Sequence, residues 1–433
     1  MGIIIMKNIY LLLATSLVLV SSCIKNPVTG NREIAFISES QERQIGNEAY
    51  QSATQSQGGH LVVDPKLSEY VSSVGLKLSA CSDRPNLSYE FVIVNDSVPN
   101  AWALPGGKIA INRGLLTELT SEAELAAVLG HEIVHAAARH GAKGMERGML
   151  LQGGIIALGA VVNNPQYNDV LLGSAGVAAS LVMSKYSRHQ ELESDHYGMI
   201  YMSKAGYNPD AAVRLQEIFL RLSKGKNTWL DGMFASHPPS EERIAANRIN
   251  AQKLASPNNV FEGKEEYQAA IKGLLSQKPS YDNYEAGVKA FKKKSYNQAE
   301  QFANQAISGF DSEALFWGLK GQALLAQRNP KEALTAYNEA ITRNDKYYEF
   351  YLKRAECKKL LGDKTGAKSD AQQSTKLLPT GEGHELLGRI AMEERDTRRA
   401  IYHYQIASHA KSPAGARSVR ALNAIAKASS SSR

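Results

Sequence analysis

"HEIVHAAARH" occupies residues 131–140 and brings three histidines and one glutamate into ten positions. An α-helix advances about 100° per residue, so His131 and His135 sit about 40° apart on one face, while His140 lies about 180° round from His131. One helix therefore offers a metal only the first pair. Glu132 falls beside that pair, within reach of a metal-bound water without being a ligand, which is the H-E-x-x-H arrangement. An amphipathic helix with two histidines on its polar side would look the same over these five residues, so the rest of the chain has to decide.

A catalytic zinc site takes three protein ligands and keeps a position open for water. The third ligand must lie beyond this helix, and "SRHQELESDHYG", residues 187–198, offers His189, Glu191, Glu193, Asp195 and His196. Two residues apart on a helix, Glu191 and Glu193 face about 160° away from each other, so both cannot serve one metal. His189 and His196 read as surface groups or as neighbours of the ligands. His140 does not complete a metzincin site, because neither the glycine nor the later histidine of that motif is in register.

Around these motifs the pattern from 36 to 255 is mostly helical, with one extended interruption. "LSYEFVIVN", residues 87–95, alternates as a strand does, and "KIAINRGLL" after the turn "LPGG" reads as a second strand running into a helix. The edge of "NAWALPGGKIAIN" suits pairing with an extended polypeptide by backbone hydrogen bonds, with Asn100, Ala101, Trp102 and Ala103 as the substrate-binding stretch. A purely structural hairpin is the alternative. Thr120 or Ser121 is expected to cap the metal-site helix. Two apolar stretches between Met149 and Met183 are too short to cross a bilayer and read as buried helices, with a lid or a docking surface as the other reading.

The chain start, "MGIIIMKNIYLLLATSLVLVSSC", reads as a secretory leader over 1–22, with Met6 an alternative start, and "LVSSC" resembles a lipoprotein box that would leave Cys23 lipid-modified. A tether over 23–35 would follow. Ile24 beside the cysteine resembles the sorting pattern of outer-membrane lipoproteins. The two remaining cysteines, Cys81 and Cys357, are too few for a disulfide framework and read as free thiols, with one long-range disulfide as the alternative. The formal charge of +7 over 433 residues is modest, and no basic block with interleaved aromatics marks a nucleic-acid binder.

A linker is expected over 256–280, and a helical repeat region over 281–425 with an unstructured tail over 426–433. Gly287, Gly321, Ala355 and Gly388 recur at spacings of 34, 34 and 33, and each is followed by a second small residue at Ala299, Ala333, Ala367 and Ala400. A third set follows at Ala306, Ala340, Ser374 and Ala407. This period resembles the tetratricopeptide repeat, whose small residues let antiparallel helices pack closely. A chain ended near residue 275 is then expected to fold and to keep its metal.

"HEIVH" with "ELESD" at 191–195 resembles the gluzincin metallopeptidases of the HtpX and CaaX-prenyl-protease family, whose second motif is E-x-x-[AS]-D. "NPVTGNRE", "NAWALPGGKIAINRGLL", "SHPPSEERI" and the repeats extend that resemblance over nearly the whole chain, toward envelope members of the family. Integral-membrane prenyl proteases need long apolar spans that this sequence lacks. The fold implied is mainly α: a helical zincin-type metalloprotease domain with a small β-hairpin or sheet, followed by an α-solenoid of repeats.

The resemblance implies one Zn2+ per chain on His131, His135 and Glu191, with Glu132 as general base and Asp195 orienting the ligands. Zinc would lower the pKa of its water toward about 7 and polarise the scissile carbonyl. Ser194 stands where the family usually has alanine. His237, on a loop braced by Pro238 and Pro239 and followed by Arg243, is placed near the site by the same resemblance. Two roles are open to it: a fourth ligand that keeps the protease latent, or a donor to the oxyanion. The function implied is a zinc endopeptidase of the bacterial cell envelope, lipid-anchored in the periplasm on the inner face of the outer membrane. It would degrade misfolded or stalled envelope proteins and assist outer-membrane β-barrel assembly, with the repeats recruiting a protein partner for which the β-barrel assembly machinery is the candidate. The alternative is a latent protease acting mainly as a repeat-based chaperone or scaffold.

Overall fold

The computed structural model describes residues 23–151, 185–223, 237–257 and 260–431. The expected leader, and the expected apolar helices beyond Leu151, lie outside the described residues. Among those described, no helix is long and apolar enough to cross a membrane.

A short hairpin of β1 (Cys23–Lys25) and β2 (Arg32–Ile34) opens the structure, followed by α1 (Glu39–Gln55) and α2 (Pro65–Ser79). The main sheet has three strands, β3 (Glu90–Val94), β4 (Ala101–Leu104) and β5 (Lys108–Asn112), in the order β3-β5-β4. β5 runs parallel to β3 and antiparallel to β4. The β4–β5 turn is made by Gly106 and Gly107 at φ +81° and +92°, conformations that a side chain would strain. β4 is the edge strand on its side among the described residues.

A single turn, α3 (Arg113–Leu116), leads to α4 (Glu122–Ala137), which carries the H-E-x-x-H motif. Ser121 caps α4 by accepting from the backbone of Glu124, and Glu122 and Glu124 sit in its first turn, where the helix dipole favours negative charge. Every residue of α4 is buried, so it is the central helix of the domain rather than an amphipathic one at its surface. α5 (His140–Leu151) follows, then α6 (Arg188–Lys204), α7 (Asp210–Ser223) and α8 (Glu241–Leu254). α6 opens with a capping box between Ser187 and Gln190. It crosses α4 where Gly130 meets Gly198; a Cβ on either glycine would come within 3.1 Å of the other backbone. Two glycines at the crossing let the backbones of α4 and α6 approach closely, which brings the polar side chains of the two helices within reach of one another.

The expected linker is largely helix. α9 (Lys264–Lys292) runs unbroken through it, with Pro279 inside. Its Tyr267, Ile271, Leu274 and Tyr281 belong to the same apolar core as α2, α4 and α7. Proline and polar residues suggested a break, but burial of this apolar stripe holds the helix together across the boundary. Ala306 and Phe316, from the repeats, lie in that core too.

The repeat region follows as antiparallel pairs. α9 packs on α10 (Tyr296–Gly309), α11 (Ala314–Ala326) on α12 (Pro330–Arg343), α13 (Tyr348–Leu360) on α14 (Lys364–Leu377), and α15 (Gly381–Glu393) on α16 (Thr397–Ser408). The periodic small residues do what their spacing demands: Gly321 lies against the Tyr337 ring and Gly388 against that of Tyr404. Ala299, Ala333, Ala367 and Ala400 are fully buried. Each hairpin turns through a residue with positive φ, at Lys294, Arg328, Gly362 and Arg395, again spaced 34, 34 and 33. The tail expected over 426–433 is helical in its described part, since α17 covers Pro413–Ser431.

Polar contacts join the array to the N-terminal half beside that shared core. Gln55 Nε2 donates to Lys346 O at 2.6 Å, and Tyr348 N donates to Gln55 Oε1 at 2.9 Å. Glu313 Oε2 accepts from Asn95 Nδ2 at 3.0 Å and from Tyr281 OH at 2.6 Å. The Arg113 guanidinium covers the Tyr281 ring at 3.6 Å.

Candidate active site and metal centre

α4 and α6 bring His131, His135 and Glu191 together, and the loop before α8 adds His237; all four are buried. One donor atom from each lies within 4.8 Å of the other three. His135 Nε2 is 3.0 Å from His131 Nε2 and 3.3 Å from Glu191 Oε1. His237 Nδ1 is 3.3 Å from His131 Nε2 and 3.1 Å from Glu191 Oε1. Donors placed tetrahedrally at ~2.0–2.1 Å from a zinc ion would be roughly 3.3 Å apart. Four of the six separations, at 3.0–3.3 Å, are close to that edge length, the set as a whole lies within 4.8 Å, and imidazole nitrogens with one carboxylate oxygen are a set of the type zinc takes.

Glu132 stays outside the donor group. Its Oε1 is 3.7 Å from His237 Nε2, and its Oε2 is buried with no hydrogen-bond partner among the described residues. Burial raises its pKa against the opposing pull of His237 and His131. A buried carboxyl with one free oxygen, beside the donors and with a raised pKa, is of the kind that can serve as a general base.

The histidines of the donor group are backed by carboxylates. His131 Nδ1 is 2.9 Å from Asp195 Oδ1, and Arg243 grips Asp195 in a fork, Nε to Oδ2 and Nη2 to Oδ1, each at 2.7 Å. Arg243 Nη1 also reaches Glu191 Oε2 at 2.7 Å. Burial opposes ionisation of Asp195, yet Arg243 and His131 bring its pKa below the usual range. Burial lowers the pKa of His135 strongly, which keeps the imidazole neutral, as metal ligation requires. For His237 burial works the other way from Glu191 and Glu132, and the two carboxylates win, raising its pKa.

Three features had no signal in the sequence. His140 Nδ1 lies 2.8 Å from His135 Nδ1, and its Nε2 lies 3.2 Å from Glu193 Oε1, so the residue set aside as a rival ligand supports a histidine of the donor group from behind. This is possible because Arg139 adopts φ +62°, breaking the helix and folding His140 back. Arg139 is held there by Glu42, 3.0 Å from its Nε, and by Ile37 O. Tyr186 stacks on the His135 ring, centroids 3.7 Å apart. His189 is exposed and 3.7 Å from Glu193, a surface group. Cys81 and Cys357 are free thiols.

The expected substrate strand divides by register. Asn112 N donates to Asn100 O at 2.8 Å, so residues 100, 102 and 104 bond to β5 by the alternation of antiparallel pairs. The peptide groups of Ala101 and Ala103 therefore point to the outer edge, while those of Asn100 and Trp102 do not.

Residues 65–249 match peptidase family M48. The mitochondrial metalloendopeptidase OMA1 of Arabidopsis thaliana is 31% identical over 185 residues, 42% of this chain and 34% of that protein. The beta-barrel assembly-enhancing protease of Escherichia coli K12 is 26% identical over 234 residues, 53% of this chain and 47% of that protein. These matches span between a third and a half of the relatives' length. Among solved structures, a thermophilic TPR protein of Thermus thermophilus aligns with 42% of this chain and 94% of its own, at 17% identity and a TM-score of 0.31.

Proposed function

With a peptidase family M48 domain at residues 65–249 as the premise, we propose that the chain is a zinc-dependent endopeptidase whose ligands are His131, His135 and Glu191. The observation that carries this reading is the convergence of four buried donor atoms within 4.8 Å of one another, with Glu132 beside them and outside the set. Zinc bound there supplies a Lewis acid for the scissile carbonyl and acidifies water. Glu132 takes a proton from the attacking water and delivers it to the leaving amine. Asp195 fixes the Nδ1–H tautomer of His131, and Arg243 keeps Asp195 and Glu191 ionised and in place. The outward peptide groups of Ala101 and Ala103 align an extended substrate along β4, which makes recognition tolerant of sequence.

His237 supports a second element of the reading. Its Nδ1 lies at the fourth corner of the donor set rather than outside it. In that role His237 is a latch: it occupies the position a substrate needs, and its withdrawal frees the site. A chain held mainly in the latched state would act as a repeat-based scaffold.

By the same proposal the enzyme works in the bacterial envelope, lipid-anchored at Cys23 in the periplasm, on misfolded or stalled envelope proteins. The repeats would recruit a protein partner, with the β-barrel assembly machinery as the candidate, in line with the name of the E. coli relative. The test compares zinc content and cleavage of an unfolded protein in wild type, Glu191→Ala, Glu193→Ala and His237→Ala. Glu191→Ala should lose zinc more than Glu193→Ala, and His237→Ala should cleave faster than wild type. Equal zinc in the two glutamate variants would require another third ligand, and slower cleavage by His237→Ala with zinc retained would make His237 an oxyanion donor.

A further inference from the structure

Next to the donor set, and opening onto it, is a pocket walled by Leu115, Val128, Met199, Met202, Leu215 and Phe219. His131, Glu132 and His237 of the site and Ala101 of the edge strand also line it. A polypeptide lying on β4 with its scissile bond at Glu132 would direct one flanking side chain into this space. That consequence rests on the peptidase reading above.

The walls are apolar, but the lining is not uniformly so. Gln216 is 2% exposed and Ser194 is completely buried. Both line the pocket, and neither Gln216 Oε1 nor Ser194 Oγ has a hydrogen-bond partner among the described residues. Buried polar atoms are nearly always paired, and an unpaired one carries a desolvation cost. Asp195 and Arg243 also line the pocket but are paired with each other; the two unpaired atoms, on lining residues from different helices, α6 and α7, point to a ligand group that satisfies them. Ser194 both donates and accepts, while Gln216 Oε1 only accepts. A group able to do both, a hydroxyl, answers the pair.

Size sets the second limit. The cavity offers about 30 Å³ by the measure in which one water needs roughly 10–15 Å³. That is room for about two waters, and so for a side chain of two or three heavy atoms; leucine or phenylalanine would have to push the methionines and Phe219 apart.

We propose that this pocket selects a serine or threonine beside the scissile bond, with Gln216 accepting from its hydroxyl and Ser194 completing the contact. The enzyme would then be tolerant along the strand and selective at one position. Ordinary peptidase specificity through apolar walls alone predicts a different ranking, with valine at least equal to threonine.

Two measurements test this on the full chain. In the first, an unfolded protein mixture is digested with wild type and with Gln216→Leu, using Glu132→Gln as the blank, and cleavage sites are mapped by mass spectrometry. Wild type should favour serine and threonine over leucine and phenylalanine by about tenfold or more, the value of one buried neutral hydrogen bond, and Gln216→Leu should move the preference to valine with zinc content unchanged. A flat profile, as expected if the space simply holds water, or the same profile in both proteins, would overturn the proposal. The second measures binding without turnover: peptide hydroxamates differing only in carrying threonine, valine or leucine are titrated into the zinc-loaded protein. Threonine binding tightest, and losing that advantage in Gln216→Leu, supports the pocket even if no cleavage is seen, in which case only the peptidase reading falls. Equal affinities overturn the pocket and leave the peptidase reading standing.

Discussion

His135 Nδ1 and His140 Nδ1 face each other at 2.8 Å, both buried. Only one of them can carry the proton between them. His135 uses Nε2 in the donor set, so its proton sits on Nδ1 and is donated to His140. His140 must then hold its own proton on Nε2, which it donates to Glu193. A carboxylate thus fixes the tautomer of His135 through an intervening imidazole, as Asp195 fixes that of His131 directly.

This relay predicts that His140→Ala weakens zinc binding by about 10–100-fold, the usual effect of removing a group that orients a ligand. Glu193→Gln should weaken it less, since a side-chain amide oxygen still accepts. Competition with a chromogenic chelator measures both. Wild-type affinity in His140→Ala would mean that the contact only fills space.

Arg139 holds the conformation on which the relay depends. Its guanidinium meets Glu42, which is 0% exposed and also accepts from Arg84. Arg139→Ala would leave Glu42 short of one partner and keep the unfavourable φ, so it should destabilise the peptidase half by about 3–5 kcal/mol. Denaturant unfolding checks this. Loss of less than about 1 kcal/mol would mean that Arg84 alone suffices.

Because Tyr281, Ala306 and Phe316 share the core of the peptidase half, a chain ended near residue 275 should be markedly less stable than the whole, contrary to the sequence-based expectation of a free boundary. In the full chain, Tyr281→Ala should cost about 3–5 kcal/mol by removing a buried ring together with the hydroxyl that reaches Glu313. Thermal unfolding that is unchanged in the shortened chain would restore the linker.

The last repeat contains a pH-dependent contact. His384 and His403 meet Nδ1 to Nδ1 at 3.1 Å, and burial, reinforced by His403, lowers the pKa of His384 to about 4. An unfolded histidine titrates near 6.5, so between about 6.5 and 4 the unfolded state binds the extra proton and the fold does not. Stability from this group is therefore full above about pH 6.5 and declines as pH falls toward 4, by at most ~3 kcal/mol at about 1.4 kcal/mol per unit. His384→Gln should remove most of that slope in denaturant unfolding at pH 7.5 and pH 5; an unchanged slope would assign it to other groups.

What the sequence revealed, it revealed through periodicity. His131 and His135 fall on one face because the helical period is fixed, and the repeats declare themselves because Gly321 and Gly388 must be small where tyrosine rings lie on them. What it concealed depends on tertiary context. A non-glycine residue such as Arg139 gives no sign that it will take a positive φ, so the return of His140 could not be foreseen. Pro279 reads as a breaker, yet the burial of Tyr267, Ile271 and Tyr281 on one helix carries the chain through it. Tyr186 meets His135 across sequence positions that no local pattern connects.

Central to the proposed chemistry is that Glu132 acts on a proton without holding the metal. Glu132→Gln, purified and assayed for zinc alongside cleavage of an unfolded protein, separates the two roles in one measurement. The geometry predicts one zinc per chain in both proteins, with turnover in the variant reduced by about 10²–10⁴, the range of a positioned general base. Cleavage at the wild-type rate, or loss of zinc together with activity, would contradict it.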